Sequence, residues 1–95
     1  MSLSKYSITD MEQQKGLFRI LIVMSDNIIR NVSEIKEKSA LGNVVYKATK
    51  ILEDMELIEK KPIKDNPNEK RFQITSRGMK VTEHLLEIDK ILKEK

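Results

Sequence analysis

The feature that most constrains the fold of this chain is the order of signals between residues 33 and 78. Helical segments are predicted at 33–38 and 43–55, separated by a turn that contains glycine, and an alternating strand pattern follows directly. Two helices joined by so short a turn form a helix-turn-helix pattern. Because many helical proteins contain such a pair, the faces of the second helix decide what the pair can do.

The second helix has an apolar face and a polar face. The apolar side chains recur at helical spacing and are predicted to face the core: Val45, Ala48, Leu52 and Met55. The polar side chains fall on the opposite face at positions i, i+3, i+4 and i+7: Asn43, Tyr46, Lys47 and Lys50. Such a face can contact both the phosphates and the base edges of DNA. An ordinary solvated face is the alternative, but the acidic residues are confined to the far end of the helix, which favours a binding face.

A basic hairpin is predicted over residues 57–75. Pro62 cannot donate to a strand ladder, so the first strand lies at a sheet edge or ends there. Alternation in the second strand points Phe72 and Ile74 inwards. Basic residues cluster at the base and tip of the hairpin: Lys60, Lys61, Lys64, Lys70 and Arg71.

The remaining elements are predicted from their capping signals. Thr9 and Glu12 form a capping box that starts a first helix over residues 9–26. A short edge strand is predicted at 28–31, and Ser33 is expected to cap the helix after it. Thr75 is predicted to cap a last helix over residues 76–94. The expected fold class is mainly α with a small β-hairpin (α+β), in a single domain over residues 1–95.

These segments together resemble the winged helix-turn-helix family, and their pattern is most similar to MarR-type and PadR-type transcriptional regulators. Residues 32–35 resemble the start of the first helix of the motif, and residues 43–53 resemble its recognition helix. Leu57-Ile58 is similar to the "GLV" or "GLI" entry to the wing. The return, KRFQITSRG at 70–78, resembles the wing strand with its "LTxxG" ending. Glu56 departs from the pattern, since the family usually has glycine there, and a different or strained exit from the helix is expected.

The resemblance implies that the protein is a transcriptional regulator that binds double-stranded DNA. The helix from Asn43 would enter the major groove, with Tyr46 and Lys47 where the family often contacts bases. Other lysines of the two helices would contact phosphates: Lys36, Lys38 and Lys50. The wing residues Lys64, Lys70 and Arg71 would reach the backbone or the adjacent minor groove. The same side chains have structural alternatives, because the Asn43 amide stands at a helix N-cap and Tyr46 could cover an apolar surface.

Excess apolar surface on the first and last helices predicts a homodimer. The last helix carries a seam with spacings 4, 3 and 4, made of Val81, Leu85, Ile88 and Leu92. The first helix is apolar nearly all round, with Ile20 off its main stripe, which indicates that a second chain covers it. The seam could instead pack on the first helix of the same chain, and the sequence leaves both arrangements open.

Composition limits the classes of function. The net charge of the 95 residues is +3, and residues 36–80 hold eleven basic and seven acidic residues, a net charge of +4. This distribution favours a polyanionic partner, with a solvated surface as the alternative. The chain has no cysteine and a single histidine, His84, which is expected to be a surface residue, so no metal site is predicted. No P-loop or nucleophile motif is present, and neither enzyme activity nor a cofactor is expected.

Composition also bears on the localisation and the partners of the protein. No apolar stretch approaches the roughly 18 residues of a membrane span, and cysteine-free chains fit a reducing cytoplasm, so a cytoplasmic protein without a membrane partner is expected. No small-molecule effector is evident. Two alternatives to a sequence-specific regulator remain: an architectural DNA binder with little sequence preference, and a winged-helix module for protein-protein interaction.

Overall fold

The computed structural model describes residues 7–62 and 69–94, and Lys64 of the predicted wing lies outside these ranges. The described elements are mostly helical. In chain order they are a 3₁₀ helix at Ser7–Glu12, α1 at Leu17–Val23, a 3₁₀ turn at Met24–Asp26, β1 at Arg30–Asn31, α2 at Val32–Ser39, α3 at Val44–Asp54, β2 at Ile58–Lys61, β3 at Arg71–Ile74 and α4 at Ser76–Lys93. The predicted fold class, mainly α with a small β-hairpin, is confirmed.

The strands form one antiparallel sheet in the order β1-β3-β2. Phe72 of β3 is the register partner of both Arg30 in β1 and Lys60 in β2. The predicted edge strand therefore exists and lies at an edge, although it covers two residues instead of four. β2 and β3 form the hairpin that the resemblance identifies as the wing, and β1 attaches that hairpin to the start of α2.

The core lies between α1, α3 and the inner face of the hairpin. The stripe that runs along α1 into the 3₁₀ turn is buried and includes Ile20, which was predicted to lie on another face: Leu17, Ile20, Leu21 and Met24. α3 contributes Val45, Ala48 and Leu52, all buried as predicted, while Met55 is only partly buried. Phe72 and Ile74 close the core from the hairpin.

The first helix begins later than predicted. Gly16 precedes α1 with φ 96°, a left-handed conformation, and it separates α1 from the 3₁₀ helix that contains Thr9. A Cβ at Gly16 would lie 2.6 Å from Cδ1 of Leu41, so both the backbone and the packing favour glycine here. The prediction of one continuous helix over residues 9–26 is therefore wrong, because the chain turns at Gly16.

Two helix caps show how α2 and α4 begin. Asn31, not Ser33, caps α2: its Oδ1 accepts a hydrogen bond from the backbone N–H of Glu34 at 2.8 Å, and Glu34 Oε1 accepts from the Asn31 N–H at 3.4 Å. This reciprocal pair is a capping box. The predicted cap of α4 is confirmed, since Thr75 Oγ1 accepts from the backbone N–H of Gly78 at 2.9 Å.

The exit from α3 is strained, one of the two outcomes expected from Glu56. Glu56 has φ 62°, its N–H donates to the carbonyl of Glu53 at 2.9 Å, and the Leu57 N–H donates to that of Leu52 at 3.0 Å. These two bonds form a Schellman motif, in which glycine usually occupies the left-handed position. A side chain in that conformation costs roughly 1–2 kcal/mol.

The start of α4 packs directly against the entry to the wing. Thr75 Oγ1 donates towards the carbonyls of Glu56 and Leu57, and Gly78 lies so close to the Leu57 carbonyl that a Cβ would collide with it. The threonine and glycine of the "LTxxG"-like ending therefore together hold α4, β3 and the end of α3 against one another.

Candidate nucleic-acid interface

The polar face of α3, defined as Asn43, Tyr46, Lys47 and Lys50, is exposed along its whole length. The Tyr46 side chain is 55% exposed, which argues against its covering an apolar surface. Val45 and Ala48, which alternate with this face around the helix, are fully buried. The structure therefore brings the four predicted residues together on one side of a helix whose other side is anchored in the core.

Lys36 joins this face from α2. Its Nζ donates a hydrogen bond to Asn43 Oδ1 at 2.9 Å and lies 5.7 Å from the centroid of the Tyr46 ring, within cation–π range. The Asn43 side chain makes no capping hydrogen bond, so the expectation that its amide caps α3 is wrong. The amide instead connects the last turn of α2 to the first turn of α3.

Many of the basic side chains near this face have acidic partners. Lys50 Nζ lies 3.1 Å from Asp54 Oδ1, and Lys61 Nζ lies 3.0 Å from Glu59 Oε1. Exposed pairs of this kind contribute at most about 1 kcal/mol, so a phosphate can replace the carboxylate at little expense. Four of the basic side chains predicted to contact DNA form no ion pair within residues 7–62 and 69–94: Lys36, Lys38, Lys47 and Lys70.

The base of the wing holds an unpredicted carboxylate, that of Glu69. Glu69 Oε1 lies 3.5 Å from Arg71 Nε and accepts a hydrogen bond from Asn31 Nδ2 at 3.1 Å. Arg71 Nε is buried and makes no hydrogen bond within the described part of the chain. Glu69 therefore sits between the N-cap of α2 and the predicted wing arginine, and it holds the two together. No local pattern signals this contact, because its partners are 38 residues apart.

A second unpredicted ion pair joins the 3₁₀ turn after α1 to β1. Arg30 donates to Asp26 through both guanidinium ends, Nη1 to Oδ1 at 2.7 Å and Nη2 to Oδ2 at 2.6 Å, and its Nη1 also reaches the carbonyl of Val23 at 3.3 Å. Arg30 is only 5% exposed. The hydrogen bonds from Arg30 lower the pKa of Asp26 from 3.8 to about 2. This pair anchors β1, and through it the start of α2, to the end of the first helical segment.

An apolar groove of about 670 Å³ lies between the N-terminal 3₁₀ helix, α1 and α4. Its lining includes both predicted seam residues and unpredicted ones: Ile8, Met11, Phe18, Ile22, Val81, Leu85, Ile88 and Leu92. Val81 and Leu85 pack partly on the core of this chain, as one of the two alternatives expected, whereas Ile88 is 47% and Leu92 76% exposed. Ile20 has no exposed surface, so its predicted role at a dimer interface is wrong.

The described residues contain no cluster of three or more histidine, aspartate or glutamate side chains placed to hold a metal ion. His84 is exposed at the edge of the apolar groove, a surface position as expected. Among the helices of residues 7–62 and 69–94, none combines the length and the apolar character that a bilayer crossing requires.

The arrangement of α2, the glycine turn, α3 and the two-stranded hairpin defines a winged helix-turn-helix. Neither protein-family models nor curated proteins give a match to the sequence. Solved structures do: the C30AH42A mutant of Lactococcus lactis ZitR matches with a TM-score of 0.71 and 25% identity over 83% of this chain and 55% of that one. Wild-type ZitR is a zinc-responsive MarR family member.

Two further structures have the same architecture. The transcriptional regulator SlyA matches with a TM-score of 0.75 and 19% identity over 93% of this chain and 63% of its own. The reduced form of the transcriptional regulator YodB from B. subtilis matches with a TM-score of 0.75 and 19% identity over 94% of this chain and 88% of its own. This chain spans little more than half the length of two ZitR chains, 55% and 56%, and 76% and 79% of two others. The chain thus has the winged-helix fold of MarR-type regulators, as the sequence predicted.

Proposed function

We propose that the protein is a transcriptional regulator that binds duplex DNA as a homodimer, with α3 in the major groove and the wing on the backbone or the adjacent minor groove. The observation that carries this proposal is the exposed polar face of α3, opposite a fully buried apolar face. A helix presented in this way, in a fold shared with transcriptional regulators, is suited to groove insertion.

The proposal gives each side chain of the interface a separate task. Tyr46 and Lys47, near the start of α3, contact base edges, because the first turns of a recognition helix enter the groove most deeply. Lys38 and Lys50 contact phosphates, which position the protein without reading sequence. Lys70 and Arg71 extend these phosphate contacts along the wing. Arg71 does so from the position in which Glu69 holds it.

The apolar groove supports the homodimer. Phe18, Ile22, Ile88 and Leu92 are all substantially exposed and adjoin one another, and contiguous apolar surface of this kind marks an interaction site. A symmetric pair formed through this groove would use the same surface of both chains. For the dimer to bind two successive major grooves, its recognition helices must be about 34 Å apart.

A winged-helix module for protein interaction is the second candidate. The ion pairs of Lys50, Lys60, Lys61 and Arg71 favour it, since they reduce the positive field that a DNA-binding surface needs. An architectural DNA binder would share the basic surface but show little sequence preference.

One selection experiment separates these functions. Purified protein is incubated with a random duplex pool at low salt, and the retained DNA is sequenced. An enriched inverted repeat is expected, with its half-sites one helical turn apart. Retention without enrichment would indicate an architectural binder. No retention at low salt would contradict DNA binding and favour the protein-interaction module.

A further inference from the structure

The hydrogen bond from Lys36 to Asn43 determines which atoms of the Asn43 amide are available to a ligand. A lysine ammonium has three donors and no acceptor, so the amide atom 2.9 Å from Nζ must be the oxygen. Among the described residues, no atom accepts a hydrogen bond from Asn43 Nδ2.

The two side chains together therefore present donors to the groove. Asn43 contributes the two hydrogens of Nδ2, and Lys36 retains hydrogens that are not directed at Oδ1. In the major groove, guanine shows two acceptors, O6 and N7, whereas adenine shows the N7 acceptor beside the N6–H donor. A free asparagine pairs with adenine through its oxygen and its nitrogen together. An ammonium group beside the oxygen opposes the approach of the adenine N6–H group.

We propose that Lys36 sets the base preference of Asn43, selecting guanine over adenine at one position of the DNA site. This inference rests on the proposed function, because it requires the first turn of α3 to lie in the major groove. It gives Lys36 a task different from the phosphate contact that the family resemblance implies. The Tyr46 ring, 5.7 Å from Nζ, helps to hold the ammonium over the amide.

The test compares base preferences by selection from the random duplex pool. Lys36→Met keeps much of the apolar stem of the side chain and removes the donor, which frees Asn43 Oδ1. Asn43→Asp keeps a partner for Lys36 but removes both amide donors, and its exposed position makes it tolerable for folding. Lys38→Met is the matched control, since it removes one positive charge from the same helix at a residue that forms no ion pair within residues 7–62 and 69–94.

The wild-type protein is expected to enrich guanine at one position of each half-site. Lys36→Met should shift the guanine-to-adenine ratio at that position towards adenine by about tenfold, the discrimination of one bidentate pair. Asn43→Asp should lose the guanine preference. Lys38→Met should weaken binding to all sequences equally and lower the dependence on salt, leaving the preference unchanged.

Two results would overturn the inference, and they are distinguishable. If Lys36→Met weakens binding uniformly and the preferred base stays the same, Lys36 contacts only phosphate and does not direct Asn43. If the wild-type protein retains no duplex, the proposed function fails and the inference fails with it. Should Lys36→Met fold poorly, as judged by thermal unfolding, the retention of guanine preference by Asn43→Asp would overturn the inference on its own.

Discussion

Asn31 Nδ2 donates a hydrogen bond to Glu69 Oε1 at 3.1 Å, which links the N-cap of α2 to the base of the wing across 38 residues of sequence. The same asparagine caps α2 through its Oδ1. One side chain therefore orients both the helix-turn-helix and the wing. Its two functions can be separated by mutation, because aspartate is as good an N-cap as asparagine but cannot donate.

Asn31→Asp should lower the free energy of unfolding by about 1 kcal/mol, since it replaces a hydrogen bond by the proximity of two carboxylates while the cap is kept. Urea denaturation measures this change. Glu69→Gln supplies the control: in that background, Asn31→Asp should have a much smaller effect, as a double-mutant cycle shows directly. Equal effects of Asn31→Asp in both backgrounds would mean that the two residues are not coupled.

Glu56→Gly should stabilise the protein by about 1 kcal/mol, because glycine adopts the left-handed conformation of the α3 exit without steric strain. The side chain lost is exposed and makes only a loose ion pair with Arg77, at 3.8 Å. Glu56→Ala is the matched control, since it removes the same ion pair and keeps the strain. Thermal or urea unfolding compares the two, and a glycine variant no more stable than the alanine variant would contradict this account.

Asp26→Asn should destabilise the fold by about 2 kcal/mol, because it leaves the buried Arg30 guanidinium without its carboxylate. Asp54→Asn, which breaks an exposed pair with Lys50, should change stability much less. Urea unfolding at pH 7 provides the comparison. Similar values for the two variants would show that the Asp26–Arg30 pair contributes no more than a fully exposed one.

The Asp26–Arg30 pair predicts that the free energy of unfolding depends on pH in the acidic range. The pKa of Asp26 is about 2 in the folded protein, below its ordinary value of 3.8, so its stabilising contribution is fully present above pH 4 and is lost as the pH falls towards 2. Unfolding free energies measured between pH 2 and pH 5 test this sign. Asp26→Asn should flatten that part of the curve, and an unchanged slope would assign the acid sensitivity to other carboxyl groups.

Ile88→Asp should weaken the proposed homodimer at least about tenfold, since it places a charge in the apolar groove. Ile91→Asp is the matched control: Ile91 is exposed on the same helix but does not line the groove. Sedimentation equilibrium measures the dimer dissociation constant of each variant. Equal dissociation constants for the two variants would place the interface elsewhere, and a monomeric wild-type protein would contradict the proposed dimer.

Local periodicity was enough to predict α3, its polar face and the wing hairpin, and the family resemblance supplied the winged-helix fold. The buried stripe of α3 and the inward residues Phe72 and Ile74 follow from spacing alone. The departure of Glu56 from the family pattern indicated a different or a strained helix exit, and the exit is strained. The spacing signals lie within one element and its immediate neighbours.

Contacts between distant elements could not be predicted in this way. Ile20 was wrongly assigned to a partner, although its spacing from Leu17 and Met24 places it on the same helix face, and that face enters the core. The pairing of Lys36 with Asn43 depends on the angle between α2 and α3. The pairing of Asn31 with Glu69 depends on how β1 meets β3.

The most direct test of the central claim is the sequence preference of the Tyr46→Ala/Lys47→Ala variant on the duplex selected by the wild-type protein. If α3 reads DNA, this variant should bind that duplex more weakly. It should also discriminate less well against mismatched sites, in which each mismatched base pair costs the wild type about 1–3 kcal/mol of binding free energy. Lys90→Ala, on the far part of α4, should bind as the wild type does. Undiminished selectivity in the Tyr46→Ala/Lys47→Ala variant would contradict the claim that α3 is the reading helix.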